Sequence, residues 1–245
     1  MPVQTATPLM LRDVPFFHRA DDALLERLAP EFQIEHLRRG QLLAGRGFQH
    51  MERYQSRVWF VYRGVVASYT ITKTNSRKIL FFLGPGKLLN HDVFGSRPTT
   101  LFAEAMVDSM LLSIPRDRFA QAVRLSPVLS EALFSHYETD LWRMSHQLKN
   151  TAGYISVERK LAIKLLKLSQ DFGLPTENGE RIAFPLTVTQ VGEFVGIPRE
   201  TASRACRKLG ELGLIRYGDK HFYIIDREKL VAYYRETGTK KEESL

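Results

Sequence analysis

Residues 187–209 constrain this chain more than any other segment. Thr187-Val188-Thr189-Gln190-Val191-Gly192-Glu193-Phe194-Val195-Gly196 reads as a short helix, capped at its start and stopped by glycine. Ile197-Pro198 makes the turn, and Pro198 opens a second helix. Arg199, Glu200, Thr201, Ser203, Arg204, Arg207 and Lys208 fall on its polar side, with Ala202, Ala205, Cys206 and Leu209 opposite. Two short helices joined by a tight glycine-containing turn form a helix-turn-helix. Residues 213–225 follow as two strands around Gly218-Asp219, the pattern of a wing, and Asp226 to Glu236 reads as a final helix before a frayed tail.

The second helix of such a motif enters the major groove and reads base edges with its N-terminal residues. Arginine can bind guanine bidentately, and glutamate can accept from a cytosine amino group. Arg199, Glu200 and Arg204 stand at those positions. A solvated helix face is the commonest reason for a run of charges, but the motif and its wing place these three for readout.

The rest of the chain supplies the frame. Its 245 residues, 44% hydrophobic, suffice for one large or two ordinary domains. With 16 Gly and 11 Pro it is neither collagen-like nor low-complexity. No apolar run reaches the roughly 18 residues of a membrane span, and no signal peptide is visible. One cysteine, Cys206, excludes an internal disulfide framework and a cysteine-ligated cluster within one chain, and fits a reducing cytoplasm. The net charge of +8 favours a polyanionic partner, but 156–245 hold 16 basic and 13 acidic residues, so the excess is spread over the chain. DNA binding must rest on the local constellation.

Residues 8–30 read as broken helix, started by Asp21-Asp22. From Phe32 to Ile114 the chain is strand-rich. The runs Val58 to Tyr62, Val65 to Ile71, Ile79 to Leu83 and Met110 to Ile114 are punctuated by Gly64, Asn75 and Gly84-Pro85-Gly86, the pattern of an antiparallel barrel or jelly roll. Ser126-Pro127 starts a long helix. On it Phe134, Tyr137, Leu141, Met144, Leu148, Thr151 and Ile155 recur at spacings of 3 and 4, an a/d seam. Covering its own barrel would give the helix a wider apolar face, so the narrow seam points to a homodimer. A second helix, Val157 to Phe172, ends at Gly173, and Pro175 to Arg181 reads as a polar loop. The expected fold is α+β. A sensing β-barrel takes residues 1–126, a dimerisation helix 127–155 and a winged helix-turn-helix 156–245.

The stretch Gly196-Ile197-Pro198-Arg199-Glu200-Thr201-Ala202-Ser203-Arg204, with Leu209 and Gly213-Leu214-Ile215, resembles the DNA-binding signature of the CRP/FNR transcription regulators. Val58 to Gly64 resembles that family's early barrel strands, and 127–155 stands where the family has its dimer helix. The resemblance implies a cyclic-nucleotide-binding-type barrel. It also implies that Arg199, Glu200 and Arg204 read TGTGA-type half-sites, which Ser203 would shift toward TTGA-type, within an inverted repeat. Thr187, Thr189 and Thr201 are then placed for phosphates, as is Lys208. RNA polymerase is a further partner if the protein activates.

The signal is read from departures. Where the cyclic-AMP branch has its phosphate-binding Gly-Glu and Arg-Ser-Ala, this sequence has Asn90-His91 and Leu101-Phe102-Ala103, so the charge-assisted anchor is missing. The cysteine cluster of the iron–sulfur branch is absent. His91 and Pro2 resemble the axial pair of the carbon-monoxide-sensing haem branch, with His91 one position off, and haem is the alternative. The remaining histidines, His136 among them, show no metal spacing. Leu88, Leu89, Leu101 and Phe102, with Asn90 and His91 as polar handles, most resemble the halogenated-phenol-sensing branch and suit a small aromatic, weakly acidic effector. Tyr137, Leu141 and Met144 are expected to close that pocket from the helix side, and Lys87 or His91 to pair with a phenolate. No nucleophile elbow, phosphate-binding loop or dinucleotide fingerprint occurs, so an enzyme is not expected.

Overall fold

The computed structural model describes residues 4–44, 48–95, 101–149 and 155–235; for 48–50 and 147–149 only the backbone is described. The chain divides into two compact units, Met1–His146 and Gln147–Leu245.

The first unit opens with α1 (Pro8–Arg12) and α2 (Asp22–Leu28), each followed by a single 3-10 turn. Asp21 caps α2, its Oδ1 accepting from the Leu24 N–H at 2.8 Å. The strands are β1 (Gln33–Leu37), β2 (Leu42–Ala44), β3 (Arg57–Arg63), β4 (Val66–Ile71), β5 (Arg77–Leu83), β6 (Phe102–Ala105) and β7 (Ser109–Pro115). They form two antiparallel sheets in the orders β1-β7-β3 and β2-β6-β4-β5. Gly64 turns the chain from one sheet to the other with φ +90, and a Cβ there would lie 2.2 Å from Ser109 Oγ.

The apolar run in β3 follows from its burial on both faces. Val58 and Phe60 join Phe16, Phe17, Phe32, Phe119, Leu129 and Leu133 in one cluster. Trp59 and Val61 join Tyr54, Leu89, Ala103 and Leu111 in the other. Tyr54 comes from α3 (Phe48–Gln55), a helix between β2 and β3 that strand-biased reading did not anticipate. After α4 (Arg116–Leu125), α5 runs Pro127–Lys149.

The second unit begins with α6 (Val157–Phe172), capped by Ser156. The expected polar loop at Pro175 to Arg181 is instead a hairpin of β8 (Gly173–Thr176) and β9 (Gly179–Ile182). Next come α7 (Val188–Val195), α8 (Arg199–Glu211), β10 (Ile215–Gly218), β11 (His221–Ile224) and α9 (Arg227–Arg235). β9 pairs with β11 through Arg181↔Tyr223 and Glu180↔Ile224, giving a four-stranded sheet β10-β11-β9-β8. That pairing spans more than forty residues of sequence, which is why a local reading missed it. Among the described residues no helix is long and apolar enough to cross a membrane.

Candidate functional site: a nucleic-acid interface and a sensing region

Helix α7 is held at both ends. Thr187 Oγ1 accepts from the Gln190 N–H at 3.2 Å, and Gln190 Oε1 accepts from the Thr187 N–H at 2.9 Å, a capping box. Gly196 closes the helix in the left-handed region at φ +90. Gly192 lets the next segment come close, since a Cβ there would meet the Ile197 oxygen at 3.0 Å and Ala202 Cβ at 3.3 Å.

Helix α8 packs on α6 and α7 through buried Ala202, Ala205 and Leu209. Its small side chains seat the helix tightly and turn the charged face outward. Arg199, Glu200, Ser203, Arg204 and Arg207 are exposed, and Thr201 is half-buried. Rows four residues apart place Arg199, Ser203 and Arg207 together, beside Glu200, Arg204 and Lys208. Among the described residues Arg204 makes only a long 3.5 Å contact to Thr201 Oγ1.

Two residues expected at phosphates have partners within the fold. The Thr187 hydroxyl is committed to Gln190, accepting from its N–H and donating to its Oε1 at 3.1 Å, so it caps a helix. Lys208 Nζ lies 3.5 Å from Glu158 Oε1 and turns toward α6. Thr189 stays exposed in the first turn of α7. The wing turns at Asp219-Lys220, both at positive φ (52 and 60), one residue later than expected. It carries Lys220, exposed at its tip, and Arg216, whose guanidinium sits 3.9 Å from the Tyr223 ring centre.

The sensing region differs more. Leu88, Leu89 and Asn90 are buried and run beside β3, with Leu89 N donating to Trp59 O at 2.8 Å. Leu88 faces one core cluster and Leu89 the other. Asn90, expected as a polar handle for a ligand, is engaged with backbone. Its Oδ1 accepts from the Trp59 N–H at 3.1 Å and its Nδ2 donates to Arg57 O at 2.6 Å. Phe102 stacks on Tyr69 at 5.4 Å between ring centres, with Leu101 half-buried before it. Leu141 and Met144 are 64% and 50% exposed, so in the single chain they do not close a pocket over Phe102 and Leu89. Clefts lie elsewhere, one of ≈ 260 Å³ beside Tyr62 and Arg63 and another beside α5. The latter is an open space of ≈ 280 Å³ lined by Phe16, Arg19, Lys87, Leu88, Ala132 and His136 among others.

Helix α5 has two faces. Leu129 and Leu133 are buried against the barrel, and Tyr137 packs there too, its hydroxyl donating to His91 O at 2.9 Å. Burial pushes the Tyr137 phenol up. Phe134 is 68% exposed, as are Leu141 and Met144 to the extents given, and Trp142, absent from the expected seam, is 59% exposed. The Leu148 side chain, Thr151 and Pro2 lie outside the described residues.

Beside Tyr137 the fold gathers His91, His136 and Asp140. Asp140 Oδ2 lies 3.3 Å from His91 Nδ1 and 3.1 Å from His136 Nε2, and the two rings stack at 6.0 Å. Burial lowers the His91 pKa. Burial alone would raise the Asp140 carboxyl, but the close approach and charge of His136, then the charge of His91, bring it below its ordinary value.

Two family models match. The Crp-like helix-turn-helix domain covers residues 159–233, and the cyclic nucleotide-binding domain covers 34–125. The regulatory protein HlyX of Actinobacillus pleuropneumoniae is 24% identical over 85% of this chain and 82% of its own length. The solved structure of FixK2 from Bradyrhizobium japonicum aligns with a TM-score of 0.66 at 22% identity, over 82% of this chain and 96% of that one. A structure titled OCPA complexed CprK aligns at 0.57 and 17% identity, over 82% and 88%. The chain belongs to the CRP/FNR family of transcription regulators.

As a CRP/FNR regulator it has a cyclic nucleotide-binding-type domain and a Crp-like helix-turn-helix domain, and its relatives are transcription regulators. Reading the family's motif onto the sequence gave the exposed face of α8. It passed over Lys220 and Arg216, although a basic residue beside a wing turn is a signal that could have been used. It also passed over His136 and Asp140, four apart on one helix and so on one face.

Proposed function

We propose that this CRP/FNR regulator binds DNA as a homodimer, reads an inverted repeat of TGTGA- or TTGA-type half-sites, and works in the cytoplasm. One observation carries the base-reading: α8 buries only small residues and Leu209 while holding Arg199, Glu200, Ser203 and Arg204 in solvent beside a basic wing. Two recognition helices on a two-fold axis need half-sites about one helical turn apart. The dimer seam is Phe134, Leu141 and Met144 with Trp142 and Leu148, while Tyr137 serves the barrel. Binding-site selection on the parent and on Arg204→Ala tests the reading. Retention of the parental preference by the variant would overturn it.

The controlling signal in this reading is a small, weakly acidic aromatic molecule, and CprK, solved with OCPA, is one neighbour that fits that class. The cleft beside α5 is the better location than the expected inner pocket. It sets Phe16, Leu88 and Ala132 next to Lys87 and Arg19, the latter paired at 2.7 Å with Glu131 of the same lining, a pair that an acidic ligand would have to displace. Such a ligand acts only by binding the DNA-competent state more tightly. Thermal-shift screening of substituted phenols against their neutral methyl ethers tests this. A shift by the phenols that Arg19→Ala removes is expected; equal shifts from both series would sink it. RNA polymerase enters as a partner if the regulator activates.

A further inference from the structure

The cluster between the segment after β5 and helix α5 is the strongest feature that DNA reading does not use. We propose that His91, His136 and Asp140 form a binding site for a divalent transition-metal ion of the zinc type, with a fourth position left to solvent or an exogenous ligand. The inference does not rest on the organic effector, and the two can fail separately.

Three observations carry it. First, the donor atoms, one from each residue, all lie within 4.8 Å of one another. Two imidazoles and one carboxylate suit zinc, nickel or cobalt rather than calcium or magnesium, which want oxygen alone. Second, two of the three donor spacings are those of ligands around one ion. With metal–ligand bonds of about 2.0–2.1 Å, neighbouring donors in a tetrahedral shell stand roughly 3.3 Å apart, and here His91 Nδ1 and His136 Nε2 are 3.3 and 3.1 Å from Asp140 Oδ2. Third, His136 Nε2 is buried and, among the described residues, makes no well-aligned hydrogen bond despite its 3.1 Å approach to Asp140 Oδ2.

The frame around the three residues is already set. His136 and Asp140 are four apart on α5, so the helix fixes their spacing. His91 is held from its own backbone, where its carbonyl accepts from the Tyr137 hydroxyl, and by its neighbour Asn90, which is pinned to β3. Asp92 pairs with Arg116 at 3.2 Å, fixing the other side. An ion here would tie the segment after β5 to α5.

The test uses the untagged full chain stripped with chelator. Calorimetric titration with zinc chloride and nickel chloride should give one site per chain. His136→Gln and Asp140→Asn should each weaken it at least tenfold, and His18→Ala, at an exposed histidine outside the cluster, should leave it unchanged. Cobalt(II) added to the parent should give the intense visible absorption of a four-coordinate ion, which settles the matter even if a variant fails to fold. No binding, binding equal in parent and variants, or a parent without that absorption would overturn the site and leave the three residues as an ordinary His–Asp ion-pair cluster. None of these results bears on the base-reading by α8.

Discussion

The winged-helix unit and the barrel unit use polar side chains in opposite directions. On α8 a glutamate, a serine and two arginines at the N-terminal end stand in solvent, and the helix is anchored by alanines and a leucine on its other side. In the barrel the informative polar residues point inward. Asn90 bonds the backbone at Trp59 and Arg57, Tyr54 donates to Leu89 O at 3.1 Å, and Ser109 bonds backbone at the Gly64 turn. A polar residue displayed on a rigid helix is available to a partner. A polar residue sewn into backbone is spent on holding the fold. Sequence position alone does not separate these cases; the periodicity of the flanking apolar residues does, and only where the element is local.

The comparison breaks most visibly at the seam of α5. Leu141→Glu should give monomers that lose specific DNA binding, because it places a charge in a surface that must be desolvated to dimerise. Sedimentation of an intact dimer would show that the exposed Phe134, Leu141 and Met144 do something else. Asn90→Ala is next. If Asn90 is structural, the variant leaves the Trp59 N–H and the Arg57 carbonyl unsatisfied in the core, costing about 1–3 kcal/mol for each group so stranded. Chemical denaturation should record that loss with no ligand present. A variant of parental stability that had lost only its response to an effector would restore Asn90 as a pocket residue.

Arg204→Ala should cost about 1–3 kcal/mol in specific binding and relax the preference at one position per half-site. Lys220→Ala should weaken all sequences alike and lower the salt slope by about one per protomer, as a phosphate contact does. Lys208→Ala should do much less, since the ammonium already faces Glu158 in an exposed pair of small worth. Titrations at several salt concentrations compare the two lysines directly, and a steeper loss for Lys208 would place it back on the DNA.

Much of the fold was legible because much of it is local. The capping box at Thr187 and Gln190, the stop at Gly196 and the start at Pro198 each involve residues within four positions of one another, and all stand where the sequence puts them. Strands β3, β4, β5 and β7 were likewise marked by apolar runs. What was not legible depends on partners far away in sequence. The β8–β9 hairpin is stabilised by β11, and its Glu180 pairs with Arg227 at 3.0 Å. The family resemblance puts positions 88–90 in a pocket. The structure lays this segment along β3, so that alternate side chains enter opposite cores. The His91, His136 and Asp140 cluster joins residues 45 and more positions apart and could be half seen at best, through the spacing on α5.

The smallest expected effect tests whether the buried side of α8 is as inert as its exposed side is available. Cys206 lies on that helix, and burial pushes its thiol up to about 11. A group whose folded pKa is raised contributes a stability that is fully present below its unfolded value and is lost as pH rises through the folded one. Nothing should therefore be seen near neutrality: the parent and Cys206→Ala should keep a constant difference in melting temperature up to about pH 8.5, the ordinary thiol range. From there toward pH 11 the parent should lose more stability than the variant. In the same neutral range iodoacetamide should label the native protein far more slowly than the unfolded one, because the thiolate is the reactive species. Rapid labelling of the native chain at pH 8 would mean that the cysteine side of α8 opens in solution. The contrast between a displayed face and a packed one would then hold for a static helix only.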